Sequence, residues 1–149
     1  MEKIIKIGTV TIGQSPRIDI TSEIAPMLGE KFKLFEKGAL DNLTAEYILE
    51  NIAPKNNEDV LVSRMKDGTQ VRIDKNKIIH LIQEKIHEFD EMEVDIIVLL
   101  CNEKFPEFEH KTLLFKPEEI GMSWLFIRDE RSSHERSKQA CTINKNHNF

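Results

Sequence analysis

The chain has 149 residues, enough for one domain with its own hydrophobic core. Its net charge of -5 comes from acidic and basic side chains mixed along the chain, a pattern that argues against a nucleic-acid-binding protein. The amino-terminal apolar run is too short for a signal peptide, and no stretch is long enough to span a membrane, so we expect no membrane partner. The two cysteines, Cys101 and Cys141, make no disulfide framework, which predicts reduced thiols and a cytoplasmic location.

The first part of the chain alternates between strand and helix patterns. Residues 3–10 are rich in Ile and Val and predict a strand. Residues 18–28 carry apolar side chains at helical spacing, and we expect Pro26 to distort this helix or end it early. Residues 32–36 alternate weakly between apolar and polar side chains, which predicts a second strand.

The middle of the chain predicts a short helix followed by a hairpin. Asp41 lies in a polar segment and is interpreted as a turn or capping residue. Residues 45–52 have the helical pattern, with Thr44 as the N-cap. Residues 60–65 and 70–73 predict two strands that are joined by a turn at the Asp-Gly pair between them.

The remaining regular elements complete the predicted sheet. Residues 75–89 carry the apolar stripe of an amphipathic helix, with Asp74 as the N-cap. Residues 94–101 are nearly all apolar, which predicts a central strand buried on both faces. Residues 112–115 predict one more strand. This order predicts an α/β fold, a parallel-dominated sheet flanked by helices with a β-hairpin insertion.

The loop after the first predicted strand, TIGQSPRID, is a candidate binding site. Gly13 permits a tight turn, Ser15 is placed to cap the next helix, and Pro16 suits the first helical position. A helix N-terminus attracts anions, and Arg17 adds a planar donor fork that suits a carboxylate or a phosphate. The same residue types are also typical of a routine helix start with an exposed arginine, so the residues alone leave both interpretations open.

The end of the buried strand is the second candidate. Because ligands bind beyond the carboxyl ends of parallel strands, we expect this end to lie beside the first loop. Cys101 stands there before Asn102 and Glu103, and such a thiol can act as a nucleophile or a base. A free cysteine is also a common inert core residue. Arg64, at the end of the first hairpin strand, could reach the same place or could simply be exposed.

Four segments in the same order resemble the AroM family. They are VTIGQSPR (10–17), EKGALDNLT (36–44), LVSRMKDGTQV (61–71) and VDIIVLLCNEKFP (94–106). The family resembles the aspartate/glutamate racemase superfamily, whose members have two similar α/β domains that face each other across a cleft. In each of those domains a cysteine follows an apolar strand, and the two cysteines remove and return a proton on opposite faces of the substrate.

The resemblance implies roles for individual residues. Cys101 matches the cysteine of the first domain, and the first loop matches the loop that helps to hold the substrate. This implies substrate-binding roles for the loop residues Gly13, Gln14, Ser15 and Arg17, and more weakly for Arg64, Asn102 and Glu103. Family members carry a Thr-Gly-Glu-like turn after the cysteine, so the Asn-Glu-Lys sequence here implies a reshaped loop.

The resemblance covers residues 1–120 and then stops. The pattern breaks from residue 121, and after Ile127 no run keeps an apolar period, so we interpret residues 121–149 as a disordered or out-of-family tail. Because family members are longer, we expect a chain truncated after its first lobe, with no racemase activity alone. The surface that a second lobe would cover could then pair two copies of the chain.

The functional hypothesis is therefore the binding of a small anionic metabolite that carries a carboxylate, with Cys101 as the acid/base or the nucleophile. A non-catalytic binding or regulatory module, or an inactive remnant, remains the alternative. No cluster has metal-ligand spacing, and we expect neither a metal nor an organic cofactor.

Overall fold

The computed structural model describes residues 2–56 and 59–117. Over these residues the chain forms six strands and three helices. In chain order they are β1 (Ile5–Thr11), α1 (Ile18–Leu28), β2 (Phe32–Gly38), α2 (Ala45–Asn51), β3 (Val60–Arg64), β4 (Gln70–Asp74), α3 (Lys75–Glu91), β5 (Ile96–Leu99) and β6 (Leu113–Phe115). The predicted tail, residues 121–149, lies outside the described residues. Within the described ranges no helix is long and apolar enough to cross a membrane.

The main sheet has the strand order β2-β1-β5-β6, and all of its neighbouring strands are parallel. Strands β3 and β4 form a separate antiparallel hairpin. The predicted α/β fold with a parallel sheet and a hairpin insertion is therefore confirmed. Strand β1 lies between β2 and β5 and is parallel to both. The last residues of these three strands, Thr11, Gly38 and Leu99, therefore lie at one edge of the sheet, which we call the carboxyl edge.

Helix α3 supplies most of the helical side of the core. Its fully buried stripe consists of Ile78, Ile82, Ile86 and Phe89. These side chains share one hydrophobic cluster with Ile97 and Leu99 of β5. The predicted caps of α2 and α3 are present, since Thr44 accepts a hydrogen bond from the Tyr47 N–H and Asp74 accepts one from the Asn76 N–H.

Strand β5 differs from its prediction in length and in burial. It is central, but it covers only Ile96–Leu99, and Ile96 and Val98 are half-buried. The buried residues Ile97 and Leu99 point to the α3 side, because side chains of a strand alternate between its two faces. On the other face Leu113 of β6 is 58% exposed, so the described residues bury this sheet on one side more completely than on the other.

The start and the end of α1 also differ from the predictions. Pro26 lies inside the helix, which continues to Leu28. A proline inside a helix removes its own N–H and crowds the carbonyl four residues before it, here that of Ser22, and the helix nevertheless completes its last turn. At the other end Arg17, not Ser15, is the N-cap, and no side chain makes a capping hydrogen bond. The Arg17 carbonyl instead accepts hydrogen bonds from the backbone N–H groups of Ile20 and Thr21.

The Asp41 carboxylate binds Ser15 and explains why the Ser15 hydroxyl does not cap α1. Asp41 Oδ1 accepts the Ser15 N–H at 2.7 Å, and Oδ2 accepts both the Ser15 hydroxyl and the Gly38 N–H at 2.7 Å. Three donors from two loops therefore converge on one side chain. A Cβ at Gly38 would lie 2.8 Å from Asp41 Oδ1 and 2.7 Å from the Ser15 nitrogen, so only glycine fits here.

Gln14 joins the same loops to the hairpin. Its side-chain nitrogen donates to the Leu40 and Leu43 carbonyls at 3.1 and 3.0 Å, and its side-chain oxygen accepts the Lys66 N–H at 2.8 Å. Its backbone N–H donates to the Arg64 carbonyl at 3.3 Å. Gln14 and Asp41 together form what we call the loop junction, which fixes the end of β3 beside the carboxyl edge.

Substitution of Gly8 by alanine tests the packing of β1 against α3. An added Cβ would lie 2.8 Å from the Phe89 ring, so we expect a loss of about 1–3 kcal/mol in unfolding free energy from overpacking. Urea denaturation of Gly8→Ala, Phe89→Leu and the double variant measures this. The alanine should cost less when Leu replaces Phe89, and an equal cost in both backgrounds would contradict the tight contact.

Substitution of Asp41 by alanine tests the loop junction. It leaves the Ser15 and Gly38 donors without their acceptor, so we expect a loss of about 1–3 kcal/mol in unfolding free energy. Amide exchange at Ser15 and Gly38 should also become faster. The matched control is Asp67→Ala in the hairpin turn. The exposed Asp67 carboxylate accepts the Thr69 N–H, and its removal should lower the unfolding free energy much less. Unchanged exchange in Asp41→Ala would refute the junction.

Candidate functional site

A cleft of about 430 Å³ lies between the carboxyl edge and the hairpin. A volume of this size suits a small metabolite. Its lining comes from the loop after β1, the start of α1, both hairpin strands and the end of β5. The lining residues are Ile12, Arg17, Asp19, Val62, Ser63, Arg64, Gln70, Leu100 and Cys101.

Arg17 is held firmly on one side of the cleft. Its Nε and Nη2 donate to the two carboxylate oxygens of Asp19 at 2.9 and 2.7 Å, and Nη1 lies 3.4 Å from Thr11 Oγ1. The hydrogen bonds to Asp19 raise the pKa of Arg17 and lower the pKa of Asp19. A guanidinium has five N–H donors, so these bonds leave two that can serve a ligand.

Arg64 brings a second positive charge to the same cleft. It ends β3 and is exposed. Its charge contributes to lowering the pKa of Asp19, after the larger contribution of the Arg17 hydrogen bonds. The lining therefore contains two guanidinium groups and one carboxylate, which leaves one positive charge in excess among these residues.

Cys101 lies where the parallel strands bring it next to the first loop. The Leu100 N–H donates to the Val10 carbonyl at 2.7 Å, and the Cys101 N–H donates to the Leu99 carbonyl at 3.0 Å. The side chain is half-buried, since it packs against the edge of the hydrophobic core and also lines the cleft. The sulfur is thus neither enclosed in the core nor fully in solvent.

The structure places the predicted site residues in different settings. Arg17, Arg64 and Cys101 line the cleft. Gln14 is part of the loop junction, where its side chain binds the Leu40 and Leu43 carbonyls, and the Ser15 hydroxyl donates to Asp41 of the same junction. The predicted cap role of Ser15 is wrong, because Asp41 accepts its hydroxyl hydrogen.

Gly13 acts through its lack of a side chain. A Cβ at this position would overlap Ser63 Oγ and the Arg64 carbonyl oxygen. Gly13 therefore allows the loop and the hairpin to meet closely enough to form one wall of the cleft. This role concerns backbone packing, and a direct part in ligand binding stays a prediction.

Asn102 and Glu103 lie outside the lining of the cleft. Both are exposed, and a carboxylate oxygen of Glu103 is 3.6 Å from Lys75 Nζ at the start of α3. This contact directs Glu103 toward α3. Substrate-binding roles for these two residues stay predictions.

The structure adds residues that the sequence did not single out as functional. Asp19, Ser63 and Gln70 line the cleft. Asp19 had a detectable signal, since an acidic residue two positions after Arg17 in the first helical turn can pair with it. Gln70 had none, because its place depends on the hairpin pairing with Arg64.

Within 2–56 and 59–117 no group of three or more His, Cys, Asp or Glu side chains is placed to hold a metal ion. A two-arginine cleft suits an anionic organic ligand instead. The expected absence of metals and cofactors stays a prediction.

Comparisons with known proteins give one result on the family. Neither a curated protein nor a solved structure matches the chain. The family model described as AroM protein matches residues 7–126. The match contains every residue that lines the cleft and both residues of the loop junction. The chain belongs to the AroM family.

Proposed function

We propose that the cleft binds a small metabolite through a carboxylate, with Arg17 and Arg64 as the binding residues. The observation that carries this proposal is the presence of two guanidinium groups in the lining of one cleft that contains a single carboxylate, that of Asp19. Charge-assisted hydrogen bonds from a guanidinium to a carboxylate are among the strong polar contacts in proteins. Arg17 is already oriented by Asp19, so it loses little side-chain freedom when a ligand binds.

The rest of the lining supports a short, partly apolar ligand. Ile12, Val62 and Leu100 offer apolar contact, while Ser63 and Gln70 can form hydrogen bonds. Pockets for small metabolites combine these two kinds of contact. The ligand would therefore place its carboxylate at the arginines and its carbon chain toward Leu100 and Cys101.

Cys101 is the candidate acid/base or nucleophile of this proposal. A thiolate beside a bound carboxylate could remove the proton from the adjacent carbon and return one from solvent. Racemisation needs a second group on the opposite face of that carbon. Asp19 is a poor proton donor, because the Arg17 hydrogen bonds lower its pKa and keep it ionised. We therefore expect proton exchange without racemisation by this chain alone.

A non-catalytic binding module is the second candidate. It is favoured by the packing of Cys101 against the edge of the hydrophobic core, which is the ordinary setting of an unreactive thiol. In this case the arginines would hold the ligand and the cysteine would only fill space.

Replacement of Arg64 by glutamine tests carboxylate binding. We expect butyrate to bind about tenfold more weakly, because one charge-assisted contact is lost. Titration followed by amide chemical shifts of Arg17 and Cys101 measures the affinity. The control is Arg72→Gln in β4, which removes an arginine of the same hairpin from outside the cleft lining. Equal affinities in the two variants would contradict the proposed role of Arg64.

Replacement of Cys101 by serine separates the two candidates. For a catalytic thiol, the native chain in deuterated water should exchange the α-proton of alanine, an amino acid with one carboxylate, detected by NMR, and Cys101→Ser should abolish this exchange. Binding should change little, since the arginines remain. Ligand binding by the native chain with no exchange would instead establish the non-catalytic module.

A further inference from the structure

We infer that Asp19 is a specificity-determining residue of the cleft, whose carboxylate selects ligands with a single negative charge over dicarboxylates and phosphorylated compounds. This inference rests on the proposed carboxylate binding and adds the charge class of the ligand. It follows from the position of the Asp19 carboxylate in the cleft.

Asp19 lies on the binding side of Arg17. Both of its oxygens are hydrogen-bonded to the Arg17 guanidinium, yet its side chain is 58% exposed whereas that of Arg17 is 23% exposed. Asp19 also lines the cleft. A ligand carboxylate that reaches the two remaining Arg17 donors therefore arrives beside an existing negative charge.

The charges of the cleft lining favour one ligand carboxylate. Arg17 and Arg64 supply two positive charges and Asp19 removes one, so a single ligand carboxylate neutralises the described lining. Ser63 and Gln70 are neutral, and neither can offset a second ligand charge. Like charges placed together oppose binding, which is a general way to reject a competing ligand.

Asp19 could instead act only by orienting Arg17. Asparagine at this position distinguishes the two roles, because it keeps an oxygen that can accept from Arg17 while it removes the charge. A purely orienting role would change the affinities for mono- and dianions by the same factor. A charge-selecting role would change their ratio.

The experiment compares butyrate and succinate, which have the same four-carbon chain and differ by one carboxylate. Their dissociation constants are measured by amide chemical shifts on the full chain at fixed ionic strength. The native chain should prefer butyrate. In Asp19→Asn the affinity for succinate should rise about tenfold more than that for butyrate, since the repulsion acts on the second charge.

Two further variants keep the result interpretable. Glu36→Gln is the matched control, because the Glu36 carboxylate accepts the backbone N–H of Arg17 at 3.0 Å but lies outside the cleft lining. It should keep the native ratio. Asp19→Ser is a second neutral replacement in case the asparagine variant does not fold, which circular dichroism would show.

The outcomes separate this inference from the proposed function. Binding of both probes with an unchanged ratio in the Asp19 variants would overturn the charge selection and leave carboxylate binding intact. A native chain that prefers succinate would do the same. Failure of the native chain to bind either probe would overturn both the proposed function and the inference built on it.

Discussion

The Asp41 carboxylate is the contact on which the arrangement of the cleft depends. It gathers three donors from the loops after β1 and β2, and Gln14 ties the same loops to the end of the hairpin. Irregular backbone that packs this closely needs partners for its polar groups, because an unpaired buried donor costs free energy. The junction provides these partners and thereby fixes the wall that carries Arg64 opposite the loop that carries Arg17.

The electrostatics of the cleft follow from this placement. Arg17 reaches the cleft from the loop after β1 and Arg64 reaches it from the hairpin, while Asp19, in the first turn of α1, pairs with Arg17 and has its pKa lowered further by the charge of Arg64. The carboxylate holds one guanidinium in place and limits the positive charge of the pair. Asp19 thus orients the Arg17 side chain in the empty cleft, and by our inference it also discriminates between ligands of different charge.

The local features of the sequence predicted the fold well. Helix α3 and its cap at Asp74, like the α2 cap at Thr44, follow from patterns within a few residues, and the parallel sheet follows from the order of the elements. The errors came from distant partners. Ser15 looked like a cap because Asp41, 26 positions away, is invisible to a local pattern. The two faces of β5 differ because burial depends on which elements cover the sheet.

Local patterns also predicted the candidate site residues better than their arrangement in space. Residue types and places near strand ends made the arginines and the cysteine candidates, and the resemblance to the AroM family implied their roles in the site. Their common cleft depends on the hairpin, whose position no local pattern encodes. Asp19 was overlooked because its second interaction, with the charge of Arg64, depends on the fold, which brings two arginines that are 47 positions apart in the chain to one cleft.

The hydrogen bond from the Leu100 N–H to the Val10 carbonyl carries the β1–β5 pairing one residue beyond the end of the strand. Cys101 therefore directly follows the paired segment of β5, and the first loop directly follows β1, the strand with which β5 pairs. Their separation is accordingly a property of strand register. Since neighbouring positions of a strand face opposite ways, a slip of β5 by one residue would turn the Cys101 side chain away from the cleft that it lines rather than merely move it.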